Sequence, residues 1–382
     1  VVPGTPCAIA IQFSPTALNH YGQNGQLNFS SNIASINSQT ISVTTAPSTL
    51  DIATANYDTT KTSLMMSVGN ANPAVAEIDT GSQLTVIDFN ATKQSDYQTG
   101  DVNISSGGTA CYNKIVDLAK NNKLNTEENL SASPYNCKVM AYDYGNRTVY
   151  GFMANGSVSI TTTNDMKIKT NPNTPLFISN NVNNNNGAKS INSIIMGVGM
   201  NNQVSAKNYM PYPYSAMMMI DRNSNKITFG NFSAQILSSF GFVQLSLMGQ
   251  SECLNALNFV NLQPTDTNIS CWNTQAAPVV FTQSGGYSGG SMPSLLDSGA
   301  VNGTLQYAIP PSWLDYNKTT GVSSINGAYL PTSKGNITIQ LPLPLSVVSS
   351  SASKVNVGNV VFQYNKVLYN QLNGTLGLLP NN

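Results

Sequence analysis

The sequence predicts an all-β fold with few short helices, built as two weakly similar halves, and three observations carry that prediction. The first is the source of its polarity: only 9% of the 382 residues are charged, so asparagine, serine, threonine and glycine supply most of the hydrophilic surface. These residues suit turns and strand faces and fit poorly with long amphipathic helices. The second is that apolar runs are short and bounded by Gly, Asn or Pro, as in "TSLMMSVGNANPAVAEIDTGSQLTVID" from Thr62 to Asp88. The third is a loop that occurs once in each half behind an apolar run: "AEIDTGSQL" (Ala76–Leu84) and "SLLDSGAVN" (Ser294–Asn302).

In chain order, residues 1–60 contain no Lys or Arg and are rich in Ser, Thr and Asn, with alternating patches such as "QTISVTT". They read as an N-terminal extension, either an extra strand layer or a loosely held segment. Residues 61–233 form the first lobe, opening with strand, turn, strand and the Asp79 loop. "NKIVDLAKNNKL" (Asn113–Leu124) is the best helix candidate, with apolar residues at 115, 118 and 119 and a basic end. "NNVNNNNGAK" from Asn180 reads as a low-complexity surface loop. "MMMIDRNSNKITFGNF" closes the lobe as a hairpin turning at "RNSN", and residues 234–382 form the second lobe around the Asp297 loop.

Seventeen basic and seventeen acidic residues give a net charge near zero, which removes the electrostatic basis for binding nucleic acid or an anionic membrane. No run reaches the roughly 18 apolar residues of a spanning helix, and "VVPGTPCAIAIQF" lacks the basic flank of a signal peptide. A mature, secreted or extracytoplasmic product is expected. The five cysteines are too widely spaced and too short of histidine for zinc. Pairs Cys111–Cys137 and Cys253–Cys271 would each close a loop within one half in an oxidising compartment, leaving Cys7 over; the alternative is five reduced, buried thiols.

A single histidine, His20, lies in the polar stretch "LNHYGQNG". An HExxH zinc centre is thereby impossible, and Ser-His-Asp or Cys-His catalysis would rest on one unpromising residue. No GxGxxG opens a helix and no GxxxxGK[ST] occurs, so no cofactor and no metal is expected. Carboxylates, hydroxyls and tyrosines remain for chemistry.

In each Asp loop an apolar strand leads into an aspartate, and Gly81 or Gly299 lets the chain turn away and frees backbone amides for the carboxylate. A lone copy is an ordinary turn of an Asn/Ser/Thr-rich β protein. Two copies brought together by a pseudo-twofold axis would share one proton, because two negative charges about 3 Å apart do not both persist. The pair titrates as a unit. Its ionised member takes a proton from water, which attacks an amide carbonyl, while the protonated member hydrogen-bonds the carbonyl oxygen.

At these loops the chain resembles the pepsin-like family of bilobal aspartic proteases, and further segments match. "SIIMGVGM" and "VNVGNVVF" resemble the apolar-apolar-Gly segments that thread beside the active loops, which puts Gly197 and Gly358 in that role. "YGNRTVYGFMANGSV" is similar to the family's hairpin flap, with Tyr144 and Gly145 at its head, Gly151 and Val158 at family-like spacing, and Tyr142 a rival for the flap tyrosine. The closing "NGTLGLLP" matches the family's terminal strand. The resemblance spans roughly Thr62 to Asn382 and implies a pepsin-like double-β-barrel fold with a central cleft. Asp79 and Asp297 would be the catalytic pair, Thr80 and Ser298 the hydroxyl lattice, and Ser82 a donor to Asp79. The implied partner is a protein or peptide substrate held extended in the cleft of a monomer. Apolar side chains are expected beside the cut, since "FGF" and "SLMG" would line the cleft.

The departures are specific. Ala300 replaces the family's second Ser or Thr, so Asp297 is expected to lose a hydrogen bond that favours its charged form, altering pH dependence more than abolishing activity. No tryptophan follows "DTGSQLTVID" to brace the flap; Trp272 and Trp313 read as packing residues. Nor do residues 1–60 have the Lys-rich character of a pepsin-like prosegment. Two other classes compete: a binding or inhibitory protein on the same fold, and an adhesion or surface-layer protein with structural Asp-Gly turns, which lacks calcium-loop spacing and tandem repeats.

Overall fold

A computed structural model describes, apart from isolated positions, residues 24–29, 39–44, 48–51, 62–99, 102–104, 140–161, 167–169, 174–179, 194–199, 217–249, 271–283, 288–307, 325–342, 345–349 and 353–381, with a few shorter pieces between them. More than half of this is strand, with only a few short helices. A ten-stranded sheet builds the first lobe and a seven-stranded sheet the second.

The same pairing sequence runs through both sheets. In the first lobe Ser63–Val68 pairs antiparallel with the Asp strand Ala74–Asp79, which pairs parallel with the threading strand Ile194–Gly197. The threading strand is antiparallel to Thr85–Asp88, itself parallel to Thr174–Ser179. In the second lobe Ala277–Gln283, the Asp strand Ser288–Leu295, the threading strand Lys354–Asn356, Thr304–Tyr307 and Ser346–Ser349 follow one another with the same order of directions. The central strands are covered on both faces, which explains why "IIMG" is buried at every position and reads as a continuous apolar run. Ile78, Phe152, Ile178, Val279, Phe281, Leu330 and Val355 are among the side chains of one continuous core. Each contributes about 1.5–3 kcal/mol through burial.

A six-stranded sheet joins the lobes in the order Gly241–Gln244, Thr375–Pro380, Asn365–Asn370, Met217–Asp221, Lys226–Phe229, Ser48–Asp51. Its two hairpins meet where Ile220 faces Val367. Asn225, in the predicted "RNSN" turn, has φ of 53°, the left-handed conformation that asparagine tolerates. The edge strand Ser48–Asp51 comes from the segment expected as an extension; it registers against Lys226–Phe229 and so forms part of the sheet. Within the expected surface loop, Asn184–Asn185 and Ala188–Lys189 pair antiparallel.

Successive residues alternate between faces of this sheet. Met218, Ile220, Val367 and Tyr369 enter the main core, whereas Met217, Phe232, Phe240 and Leu368 form a separate small cluster. Phe240 and Phe242 stack at 6.1 Å between ring centroids. The "FGF" stretch expected in the cleft is therefore packing on the opposite face from Tyr369. In "SLMG", Leu247 pairs with Trp272 and Met248 with Cys271.

Lys366 Nζ lies 2.9 Å from Asp221 Oδ2 across the two hairpins, and Ser224 donates its amide and hydroxyl to the same carboxylate. Burial alone would raise the Asp221 pKa, but Lys366 and Ser224 outweigh it and hold it below the usual value. A depressed folded-state pKa contributes stability above the unfolded-state value that is lost as pH falls through the folded one. Asp221→Asn is accordingly expected to cost about 1 kcal/mol at pH 7 and progressively less below about pH 4. Urea unfolding at pH 7 and pH 2.5 checks this; an equal cost at both would remove the ion pair as its source.

Cys271 is buried, while Cys7, Cys111, Cys137, Cys253 and Trp313 lie outside the described residues. Of the expected helix, residues 113, 114, 117, 118 and 121 are described; the first four are helical, with Leu118 buried, and Asn121 is in a turn, its amide donating to Asp117 O at 3.1 Å. No helix among the described residues is long and apolar enough to cross a membrane.

Candidate active site

Each Asp strand ends in a loop whose backbone is held by the neighbouring threading strand. Gly197 stands opposite Asp79, Val198 N donates to Asp79 O at 2.9 Å and Gly199 N to Ser82 O at 2.8 Å. A Cβ on Gly197 would fall 2.5 Å from the backbone N and O of Leu84, so only glycine lets the threading strand pass. In the second lobe Val357 N donates to Leu295 O at 2.9 Å and Asn359 N to Ala300 O at 2.8 Å. Between them Gly358 adopts φ of +68°.

The loops interlock across the two lobes through buried bonds. Thr80 N donates to Ser298 Oγ at 3.1 Å and Ser298 N to Thr80 Oγ1 at 2.9 Å. The two hydroxyls continue the lattice in pseudo-twofold fashion, Thr80 Oγ1 to Leu296 O at 2.8 Å and Ser298 Oγ to Ile78 O at 2.6 Å. Thr80 and Ser298 are completely buried; hydroxyls are tolerated there because every bond is made.

This lattice sets the aspartates face to face. Gly81 N donates to Asp79 Oδ1 at 2.8 Å and Gly299 N to Asp297 Oδ1 at 2.9 Å. A Cβ on Gly81 would lie 2.6 Å from Asp297 Oδ2, and one on Gly299 2.7 Å from Asp79 Cγ. Each glycine thus makes room for the opposite carboxyl. Burial, then the Asp297 charge, then the Glu77 charge push the Asp79 pKa well above the ordinary carboxylate value, and the Ser82 hydroxyl opposes them. That is the behaviour of a pair sharing one proton.

The Oδ2 oxygens are held by different donors. Ser82 Oγ donates to Asp79 Oδ2 at 2.6 Å. Ala300 has no hydroxyl to offer Asp297, yet Asp297 does not go without: Asn356 Nδ2 donates to its Oδ2 at 2.7 Å. The expected loss of a hydrogen bond at Ala300 is thereby corrected, because the threading strand supplies the donor in place of the loop.

Sequence reasoning missed Asn356 and two other groups. Glu77 is buried two residues before Asp79, where the second lobe has Leu295, and one of its oxygens sits 3.0 Å from the Cβ position of Gly299. A carboxylate inside the apolar run "AVAEID" was the signal. Tyr369, fully buried, donates its hydroxyl to Leu296 O at 3.0 Å beneath the lattice; burial raises its pKa and keeps the phenol protonated. Nothing in "KVLYN" distinguishes it from a core aromatic.

Met140–Tyr144 pairs with Arg147–Gly156 as a hairpin in the segment expected to be the flap, with Tyr144 opposite Arg147. Gly145 and the side chains of Tyr142 and Tyr144 lie outside the described residues. Trp272 donates Nε1–H to Gln371 O at 2.9 Å, a packing role away from the dyad. Among the described residues no group of His, Cys, Asp and Glu could hold a metal ion.

No protein-family model matches the sequence, and no curated protein does. Solved structures match its fold. An aspartic proteinase from Irpex lacteus aligns over 88% of this chain and 98% of its own, with a TM-score of 0.50 and 11% identity. Conglutin gamma, a basic 7S globulin from lupine seeds, aligns over 88% and 95% with a TM-score of 0.53 and 10% identity. The basic 7S globulin from soybean aligns over 88% and 96%, with a TM-score of 0.50 and 12% identity. The chain has the mainly β, bilobal pepsin fold, which by itself selects neither hydrolysis nor binding.

Proposed function

We propose that the protein is an aspartic endopeptidase in which Asp79 and Asp297 activate a water against a peptide carbonyl. The observation that carries this reading is the interlocked pair of loops, with two buried aspartates in contact and every supporting donor in place. The ionised aspartate takes a proton from water as its oxygen bonds the amide carbon, and the protonated aspartate gives its proton to the carbonyl oxygen. Collapse of the tetrahedral species returns a proton to the leaving nitrogen. No metal, cofactor or covalent intermediate enters. The substrate is a protein or peptide bound extended between the lobes, closed over by the Tyr144 hairpin. One chain holds both aspartates and needs no partner subunit. A secreted or otherwise extracytoplasmic setting belongs to the same reading, with Cys253 the proposed disulfide partner of the buried Cys271.

Two of the matched structures are named as basic 7S globulins, which favours a second reading, a binding protein on the same fold. Cleavage of a denatured protein between pH 3 and 7, with and without a statine-type inhibitor, separates the two. Acid-dependent, statine-sensitive cleavage supports the protease; statine binding without cleavage supports the binding protein. Because the Glu77 charge raises the Asp79 pKa, Glu77→Gln is expected to lower it and move the upper limb of the pH–rate profile to lower pH. An unmoved limb would show that Glu77 carries no charge at the working pH.

A further inference from the structure

We propose that Asn356 is a positioning residue that holds Asp297 as the ionised member of the pair and leaves the shared proton on Asp79. The inference rests on the dyad reading above and adds an assignment of roles that the symmetric loops do not make. Register identifies the position. Ile194 stands opposite Ala76 and Val355 opposite Ser294, each three residues before its aspartate, so Asn356 occupies the place that Ile195 fills in the first lobe. Ile195 is buried and apolar. The second lobe has exchanged an apolar side chain on the threading strand for an amide, and a loop hydroxyl for the methyl of Ala300.

The amide's orientation is fixed from its other side. Gly358 N donates to Asn356 Oδ1 at 2.9 Å, so Oδ1 is the acceptor and Nδ2 is the group 2.7 Å from Asp297 Oδ2. An amide NH2 only donates, and a carboxylate oxygen is a far better acceptor than a carboxylic-acid hydroxyl. Protonating Asp297 therefore weakens this bond. Ser82 sets no such condition on Asp79, because its hydroxyl rotates to donate to a carboxylate or accept from an acid. The other groups facing the pair act in the same direction. Glu77 lies on the Asp79 side and disfavours charge there, and Tyr369, neutral beneath Leu296, adds no charge to either. Asp297 then lifts the proton from water, and Asp79 delivers its own to the carbonyl oxygen.

The test uses the full chain and two readouts. With Asn356→Ala, the acid limb of the kcat profile is expected to move up by about one pH unit and kcat below it to fall about tenfold or more, with KM changed less than about twofold. Adding Ala300→Ser restores a donor to Asp297 and is expected to return the limb toward its original place. If Asn356→Ala lowers thermal stability without moving the limb, or if Ala300→Ser fails to bring it back, Asn356 is only a cap for Gly358 and the proposal falls. The second readout is independent of hydrolysis: carboxyl 13C titration of the wild type, assigned with Asp79→Asn and Asp297→Asn. Asp297 titrating below Asp79 supports the proposal, and the reverse order overturns it. Absence of cleavage alongside the expected order would sink the endopeptidase reading and leave this one standing.

Discussion

Asp79→Asn and Asp297→Asn are each expected to lower kcat for peptide hydrolysis by about three orders of magnitude or more, because each removes one of two groups that must exchange protons within a single step. The substitutions are nearly isosteric. An amide oxygen still accepts from Gly81 N or Gly299 N, and the Thr80–Ser298 lattice is untouched. The double variant should be no worse than the weaker single one, since members of one catalytic unit are not additive. Stability gives a second, opposite signature. The folded-state pKa of Asp79 is raised, mainly by burial and then by the Asp297 and Glu77 charges. A raised carboxyl pKa means stability that is present below the unfolded value and lost as pH rises through the folded one. Asp79→Asn is therefore expected to melt higher than the wild type at pH 7, with the gap closing at lower pH. An inactive variant that melted lower at pH 7 would have been damaged in its fold, and its lost activity would say nothing about the dyad.

How much of this was legible in the sequence follows from what kind of signal each residue leaves. The Asp loops and threading glycines were readable because tight backbone passages demand glycine: Gly197 has the backbone of Leu84 at 2.5 Å from its Cβ position, and no other residue fits. The two similar halves were readable because an Asp loop follows an apolar run in each, whereas the pairing order they share, with buried strands such as "IIMG" at its centre, is known only from the structure. Asn356 was missed because its role depends on register. Ala300 and Asn356 are 56 positions apart in sequence, and only the parallel pairing of Leu295 with Asn356 brings the amide to Asp297. The "FGF" stretch was misplaced for a related reason: strand alternation does not tell which face of a sheet looks into a cleft, and here Leu368 and Tyr369 point opposite ways. The strand Ser48–Asp51 left only "STLD" as its mark, too short and polar to be separated from its surroundings.

The interlocked glycines give the other large effect. Gly81→Ala would set a methyl 2.6 Å from Asp297 Oδ2 and 2.7 Å from its Cγ, closer than carbon and oxygen approach without a shift. The loops cannot separate cheaply, because Thr80 and Ser298 tie them together in both directions. The Asp297 carboxyl must then turn aside, giving up the bonds from Gly299 N and Asn356 Nδ2 that orient it. Displacement of a reacting group by about 1 Å costs about a hundredfold in rate, so Gly81→Ala is expected to lose that much or more while its stability falls by only about 1–3 kcal/mol. Gly299→Ala should behave alike, with Asp79 Cγ at 2.7 Å. Gly197→Ala is the contrasting case. Its methyl meets the Leu84 backbone, which cannot rotate away, so the penalty falls on the sheet and the variant should lose stability along with activity. Thermal melting beside an active-site titration with a statine-type inhibitor distinguishes them. A Gly81→Ala protein that kept wild-type turnover would mean that the carboxyls do not face each other across these glycines, and the dyad itself would have to be abandoned.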